Sequence, residues 1–212
     1  MPSAMPKAIT SRPNTVLFRN RQRQQGVTVV ELMIGLAVAA ILLAVASSSF
    51  VAIVNANRLA GTANELLATL QSARVEALRR NQRTVVCRSD DGTTCNAAVG
   101  DWGGWISFID TNRDGIFNAG DDGFPVPLRS NIVAAPIRIT GSPAVSGASN
   151  VIVFRADGMS HAAGGALLAA SIGVCILTNQ PVQNARDVSI ASGSRISILP
   201  RNGAGACAAP PD

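Results

Sequence analysis

The feature that most constrains this chain is a long run without any charged residue, from Leu32 to Val54. As a helix, this run would extend about 35 Å, which is enough to cross a bilayer core of roughly 30 Å. Residues 1–26 precede it and carry five basic residues and no acidic ones. Because basic flanks stay on the cytoplasmic side, we expect residues 27–55 to form a transmembrane helix that leads to the opposite side.

The charge of the remaining chain is balanced. The formal net charge of +5 resides in residues 1–26, since the other 13 basic residues, all Arg, equal the 13 acidic residues in number. The net positive charge is therefore weak evidence that the part of the chain after residue 26 binds nucleic acid. The single histidine, His161, lies in a Gly- and Ala-rich loop and is expected at the surface. Since no nucleophile–base pair accompanies it, we predict that the chain is not an enzyme.

One carboxylate, Glu31, stands at the start of the apolar run. A lone carboxylate in lipid is costly and usually marks function. None of the next 26 residues is basic. We therefore expect its partner to be the free α-amino group of a neighbouring chain.

The stretch from Gln24 to Leu32, QQGVTVVEL, resembles the processing signal of type IV pilins and type II secretion pseudopilins. The resemblance implies that prepilin peptidase removes residues 1–26 as a leader by cutting after Gly26. It implies that Val27 becomes the N-methylated terminus. It also implies that Glu31 pairs with a neighbouring subunit's N-terminus during assembly.

The helix pattern continues beyond the apolar run. Leu59, Leu66 and Leu70, with Ala63, Ala73 and Ala77, form one apolar stripe that needs a sheet to pack on. We predict a helix from about Val27 to Asn81, in which residues 56–83 are the amphipathic continuation. Residues 84–212 show β-rich patterning. The predicted strands are Thr84–Arg88, Trp105–Asp110, Val126–Arg129, Ile132–Thr140, Asn150–Arg155, Ala166–Thr178, Asp187–Ala191 and Arg195–Leu199.

Four cysteines, Cys87, Cys95, Cys175 and Cys207, all follow the apolar run. An even count in an oxidising compartment suggests disulfides, and three pairings are possible. We favour Cys87–Cys95, which closes a short loop and leaves Cys175–Cys207. A four-cysteine metal site is the alternative, but the spacing lacks any Cys-x-x-Cys. The tail from Arg201 is expected to be loose except where Cys207 ties it down.

The globular part resembles the GspH/FimT group of minor pilins and pseudopilins. The resemblance rests on the Cys87/Cys95 loop, Trp102-Gly-Gly-Trp105, Phe108-Ile-Asp110, Phe154-Arg-Ala-Asp-Gly158, Val174-Cys175 and the final hairpin. It implies an α+β fold, a long N-terminal helix packed on antiparallel sheets. It also implies a structural subunit near the tip of a type II secretion pseudopilus or a type IV pilus. Its partners would be other pilin subunits and the inner membrane, with the C-terminal domain in the periplasm.

The loop after the second predicted strand follows the spacing of a calcium loop. Oxygen ligands would come from Asp110, Asn112 and Asp114, then from the Ile116 carbonyl, Asn118 and Asp121. The closing acid is Asp where Glu is usual, and the flanks read as strands. The alternative is a polar loop in which these residues only form turns. A structural calcium ion is the one cofactor that the sequence suggests.

Some members of the FimT group bind DNA for uptake through a Gly-Arg-x-Arg stretch in the last hairpin. The matching stretch here is Gly193 to Ser197, in which Arg195 alone remains, with Arg186 and Arg201 nearby in sequence. DNA affinity depends on several phosphate contacts. A tip subunit for DNA uptake is therefore the alternative function, and weak DNA binding at most is expected.

Overall fold

The computed structural model describes residues 26–118, 120, 122 and 130–212; the side chains of residues 45–49, 130 and 131 are not among those described. The leader up to residue 25, the strand predicted at Val126–Arg129 and Asp121 lie outside the described residues. By compactness, the chain divides into two units, Met1–Leu43 and Ala44–Asp212.

Helix α1 spans Val29–Arg80, close to the predicted bounds. In the second unit its six stripe residues are fully buried, which confirms the stripe from Leu59 to Ala77. Steps of four and three keep these side chains on one face of the helix. Glu76 lies off the stripe, as expected, yet is only 7% exposed, because Arg79 and Arg80 fold over its carboxylate.

As far as the structure is described, the strands form two antiparallel sheets. A five-stranded sheet, sheet A, has the order β3-β2-β1-β5-β6, and a four-stranded sheet, sheet B, has the order β4-β7-β8-β9. This is the α+β fold that the sequence predicts. The strands are β1 (Thr84–Arg88), β2 (Gly104–Ile109), β3 (Ser130–Ile132), β4 (Ile137–Gly141), β5 (Val151–Phe154), β6 (Ser160–His161), β7 (Ala170–Ile176), β8 (Ala185–Ile190) and β9 (Ile196–Arg201).

Alternate residues of each sheet face the α1 stripe. Val86 of β1 and Trp105 of β2 join the main core on the sheet A side, and Ile172 and Val174 of β7 join it on the sheet B side. Because successive strand residues point to opposite faces, their neighbours in sequence point away from the helix.

The outer face of sheet A carries a second apolar cluster. Cys87, Phe108 and Val153 lie in it, with Cys95 and Phe117 packed against it from the adjoining loops. The predicted disulfide Cys87–Cys95 is present and ties its loop over this face. Both faces of β1 are therefore covered, which explains why all five of its residues are buried.

The outer face of sheet B is covered by the chain after β9. The disulfide Cys175–Cys207 is present, as predicted. The expectation of a loose tail was wrong. The amide of Asn184 donates to the Ala206 carbonyl at 3.0 Å, and Pro210 is buried. Its contacts are polar and distant in sequence, so composition alone did not reveal them.

Other differences are local. The strand predicted at Ile132–Thr140 is divided into β3 and β4, with Pro136, which lacks an N–H donor, between them. The short helix α2 (Pro143–Gly147) and strand β6 were not predicted. The surface position expected for His161 was wrong. The residue is 5% exposed, because β6 pairs with β5 and places it opposite Val153.

Candidate functional site

The N-terminus of α1 is closed by Thr28. Its Oγ1 accepts a hydrogen bond from the Glu31 backbone N–H at 3.2 Å, and its carbonyl accepts one from Leu32 N–H at 3.1 Å. This is the N-cap arrangement of a Thr-x-x-Glu sequence. Thr28 is not among the predicted site residues, although the spacing of Thr28 and Glu31 is itself a capping signal.

The cap fixes Glu31 in the first turn of α1, and its side chain is exposed. A carboxylate is favoured at this end of a helix, where backbone N–H groups carry partial positive charge. Gly26 and Val27 immediately precede this turn. Both are exposed, and apart from its chain neighbours no described residue places an atom within 4 Å of the Cβ position of Gly26.

Large apolar side chains surround this turn without being buried. From Val27 to Leu43, every Val, Leu, Ile and Met side chain is more than half exposed, between 51% and 75%. In the second unit, Phe50 and Ile53 are also exposed. Contiguous exposed apolar surface marks an interaction site. Within the described residues, no helix combines the length and the apolar character needed to cross a membrane.

The structure places the three arginines of the DNA hypothesis in different settings. Arg195 is exposed in the turn between β8 and β9. The Arg201 guanidinium binds both carboxylate oxygens of Asp187, at 2.6 and 3.1 Å. Arg186 donates to the backbone carbonyls of Gln183 and Ala185. Arg201 is therefore neutralised within the domain, and the three arginines do not form a run of free cations.

The loop predicted to bind calcium is closed by its own hydrogen bonds. Asp114 Oδ1 accepts from Ile116 N–H at 2.7 Å, and its Oδ2 accepts from the side-chain amides of Asn112 and Asn118 at 2.9 and 3.0 Å. These bonds occupy oxygens that the calcium hypothesis assigns to the ion.

Asp121, the predicted closing acid of this loop, lies outside the described residues, so its role as a ligand stays a prediction. Asp122 accepts from the N–H groups of Thr111 and Asn118 at 2.8 and 2.9 Å. In the described part of the chain, no group of three or more His, Cys, Asp or Glu side chains is placed to hold a metal ion. Calcium binding stays a prediction.

Asp110, the first residue of this loop, is bound to Arg83. Arg83 Nε lies 2.9 Å from Asp110 Oδ2, and the Asp110 side chain is fully buried. Burial raises the pKa of Asp110, and the opposing charge of Arg83 lowers it, with a net rise above the ordinary value of 3.8. Arg83 therefore favours the charged form of this buried carboxylate.

A capped N-terminal helix that carries Glu31, packed further along on antiparallel sheets, defines a type IV pilin-like protein. Residues 62–204 match the family described as Type II transport protein GspH. Residues 21–47 match the prokaryotic N-terminal methylation motif. The chain belongs to the GspH family, whose members are structural minor pilins and pseudopilins. The motif is that of a prepilin peptidase substrate, anchored in the membrane by its N-terminal segment.

Two solved structures are similar to part of this chain. The type IV minor pilin FimU of Pseudomonas aeruginosa strain PAO1 is 24% identical over 68% of this chain and 90% of that chain, with a TM-score of 0.45. The minor pseudopilin EpsH of Vibrio cholerae is 10% identical over 68% of this chain and 97% of that chain, with a TM-score of 0.46. A comparison with curated protein sequences gives no significant match.

Proposed function

We propose that this chain is a minor subunit of a type II secretion pseudopilus or a type IV pilus and that Glu31 directs its entry into the filament. The observation that carries the proposal is the placement of Glu31. Its exposed carboxylate stands in the first turn of α1, surrounded by exposed apolar side chains. It lies five residues after Gly26, within the methylation motif.

The chemistry of assembly follows from this placement. When the apolar segment is buried, in lipid or among other helices, an unpaired carboxylate costs several kcal/mol. Cleavage after Gly26 frees the α-amino group of Val27, which is a compact cation. The carboxylate of one subunit and the amino group of its neighbour then neutralise each other. This pairing sets the axial register between subunits.

The remaining parts of the proposal concern location and role. Two disulfides in the domain favour an oxidising compartment, and we place the domain in the periplasm with the N-terminal segment in the inner membrane. The subunit sits near the filament tip and contacts other minor subunits. It acts by assembly and not by catalysis, in keeping with the structural role of its family.

The first test is the mass and N-terminal sequence of the membrane-extracted chain from cells with an active prepilin peptidase. We expect a chain that begins at Val27 and carries one added methyl group. An uncut chain would contradict the proposal.

The second test concerns Glu31 itself. Glu31→Gln keeps the size of the side chain and removes its charge, so we expect cleavage to proceed and incorporation into sheared filaments to fail. Thr28→Ala is the matched control, because it removes the cap of the same turn but keeps the carboxylate. We expect Thr28→Ala to be cleaved and incorporated. Normal incorporation of Glu31→Gln would refute the role of the charge.

A further inference from the structure

Three arginines meet at one end of sheet A because of its strand register. Strand β1 begins at Thr84, which is paired with the last residue of β2 and with the last residue of β5. The residue just before β1 and the residues just after β2 and β5 therefore lie together at one end of the sheet. They are Arg83, Asp110 and Arg155. Arg113 joins them from the loop after β2, where its carbonyl accepts from Arg83 at 3.4 Å.

The three arginines, Arg83, Arg113 and Arg155, border a cavity of about 400 Å³. Its volume falls within the range of ~300–1,000 Å³ that is typical of ligand-binding clefts. Asn81 and Gln82, which follow the last residue of α1, form another wall of the cavity. None of the described residues that line the cavity is acidic: they are Asn81, Gln82, Arg83, Arg113, Arg155 and Ala156.

The positive charge around the cavity is only partly neutralised. Arg83 is paired with the buried Asp110. Arg113 and Arg155 make no ion pair with any residue in the described part of the chain. Within the described residues, two guanidinium groups without an ion pair thus border the same cavity beside a third that is paired. An anion in the cavity is attracted chiefly by Arg113 and Arg155, since Asp110 offsets much of the charge of Arg83.

One of the three arginines is held in position, because Arg83 is paired with the buried Asp110. Arg155 lies beside Gly165, where a Cβ would stand 2.8 Å from a terminal nitrogen of Arg155. The lack of a side chain at Gly165 therefore leaves room for the Arg155 guanidinium at this place. A cation that is already fixed loses less conformational entropy when it binds.

From this geometry we infer that the cavity is a carboxylate-binding site, formed by Arg83, Arg113 and Arg155, for an acidic segment of a neighbouring pilin-like subunit. The inference rests on the proposed assembly function. Guanidinium groups match carboxylates through paired N–H donors, which gives both attraction and orientation.

The surroundings favour a compact acidic segment over DNA. A nucleic acid requires several phosphate contacts along a track. The nearest arginines on α1, Arg79 and Arg80, are both bound to Glu76. Arg201, on sheet B, is bound to Asp187. The described surface thus offers one localised group of cations and no continuous basic track.

The test uses the full-length chain in detergent micelles and two fluorescein-labelled peptides. One peptide carries two adjacent Glu residues between Ala and Ser, and the other carries Gln in their place. Fluorescence anisotropy measures binding at low and moderate salt. We expect the Glu peptide to bind in a salt-dependent way and the Gln peptide to bind at least about tenfold more weakly, since charged hydrogen bonds are lost.

Variants locate the binding site. We expect Arg113→Gln/Arg155→Gln to weaken binding of the Glu peptide about tenfold or more. We expect Arg155→Lys to retain only part of the affinity, because Lys keeps the charge but lacks the paired N–H donors. Arg195→Gln removes the same charge from the exposed turn between β8 and β9 and serves as the matched control. We expect it to bind as the wild type does. Melting temperatures confirm that each variant is folded.

Several outcomes would overturn the inference. They are equal binding of the two peptides, unchanged binding by the double variant, or no binding of the Glu peptide to the wild type. Inorganic phosphate and a DNA duplex are tested as competitors. If either binds more tightly than the Glu peptide and depends on Arg113 and Arg155, the cavity is a phosphate site and the assignment to a partner subunit is wrong. Filament entry of Glu31 variants is measured separately, so failure here leaves the proposed function intact.

Discussion

The indole N–H of Trp105 donates a hydrogen bond to the hydroxyl of Thr69 at 3.1 Å, in the middle of the core. Trp105 belongs to β2 and Thr69 to α1, so this bond joins the helix to sheet A. The Thr69 hydroxyl donates in turn to the Glu65 carbonyl at 3.0 Å. Both side chains are buried. This hydrogen-bonded pair therefore acts together with the apolar stripe to fix the rotation of α1 about its own axis.

Thr69→Val keeps the shape of the side chain but leaves the indole N–H without its acceptor. A buried donor without a partner costs about 1–3 kcal/mol, so we expect the free energy of unfolding to fall by about 2 kcal/mol. Urea denaturation measures the loss. Thr62→Val, the same substitution at a half-buried position of the same helix, is the control and should change little. Equal losses in the two variants would show that the bond to Trp105 contributes nothing.

Arg83→Met tests the dependence of the buried Asp110 carboxylate on its cation. Breaking a buried ion pair by removing one partner costs about 3 kcal/mol or more, and we expect a loss of this size near neutral pH. Without Arg83 the pKa of Asp110 rises further above 3.8. The folded variant then takes up a proton at higher pH than the unfolded chain does, so its free energy of unfolding should recover as pH falls toward 3.8.

Urea denaturation across acidic to neutral pH checks both parts of this prediction. The control is Arg138→Met, which removes an exposed partner of Asp101. Exposed pairs contribute little, so this variant should lose less than about 1 kcal/mol. An Arg83→Met profile that runs parallel to the wild type at all pH values would contradict the role assigned to Asp110.

Each of the two disulfides ties a segment of chain to the outer face of one sheet. Cys87–Cys95 ties a loop over the outer face of sheet A, and Cys175–Cys207 ties the tail over the outer face of sheet B. Their sequence separations are 8 and 32 residues. Because a longer closed loop restricts the unfolded chain more, we expect paired Cys→Ser substitutions to cost about 2.5 and about 3.5 kcal/mol, respectively. Urea denaturation of each double variant under oxidising conditions measures the two losses in free energy of unfolding. A larger loss for the Cys87/Cys95 variant than for the Cys175/Cys207 variant would contradict the prediction.

The parts of the fold that depend on local periodicity were predictable from the sequence. The stripe from Leu59 to Ala77 repeats with the helical period, and the first strand was predicted at its observed bounds, Thr84–Arg88. The Cys87–Cys95 pairing follows from a short separation. The processing segment also carries a local signal, since Gly26 and Glu31 stand at fixed spacing before an apolar run.

The parts that depend on contacts between distant residues were not predictable. Strand β6 has two residues and exists because β5 is beside it, which is why His161 is buried against expectation. The cavity bordered by three arginines arises from strand register. The local sequence around each of Arg83, Arg113 and Arg155 carries no signal that predicts it. The loop after β2 also depends on such contacts, since the carboxylate of Asp122 accepts from Thr111 N–H, eleven residues earlier, and no periodic pattern marks this pairing.

The tail packs closely against sheet B at Gly173, where there is little room for a larger residue. A Cβ there would stand 3.2 Å from Pro210 Cδ, 3.2 Å from Asp187 Oδ1 and 3.3 Å from a terminal nitrogen of Arg201. Gly173→Ala should therefore press the tail outward, and overpacking of this kind costs about 1–3 kcal/mol. Gly164→Ala is the control, since apart from its chain neighbours no described residue places an atom within 4 Å of its Cβ position.

A double-mutant cycle identifies the source of that loss. Pro210→Ala removes one of the three atoms that crowd position 173, so Gly173→Ala should cost less in the Pro210→Ala background than in the wild type. Residues in contact show coupling energies of about 0.5–3 kcal/mol, and we expect a value in the lower half of this range because Asp187 and Arg201 still crowd the site. Additive losses would mean that Pro210 moves aside freely. The tail would then be held by its other contacts, such as the Cys207 disulfide and the bond from Arg201 to the Ala208 carbonyl, and Pro210 would lie on the sheet without anchoring it.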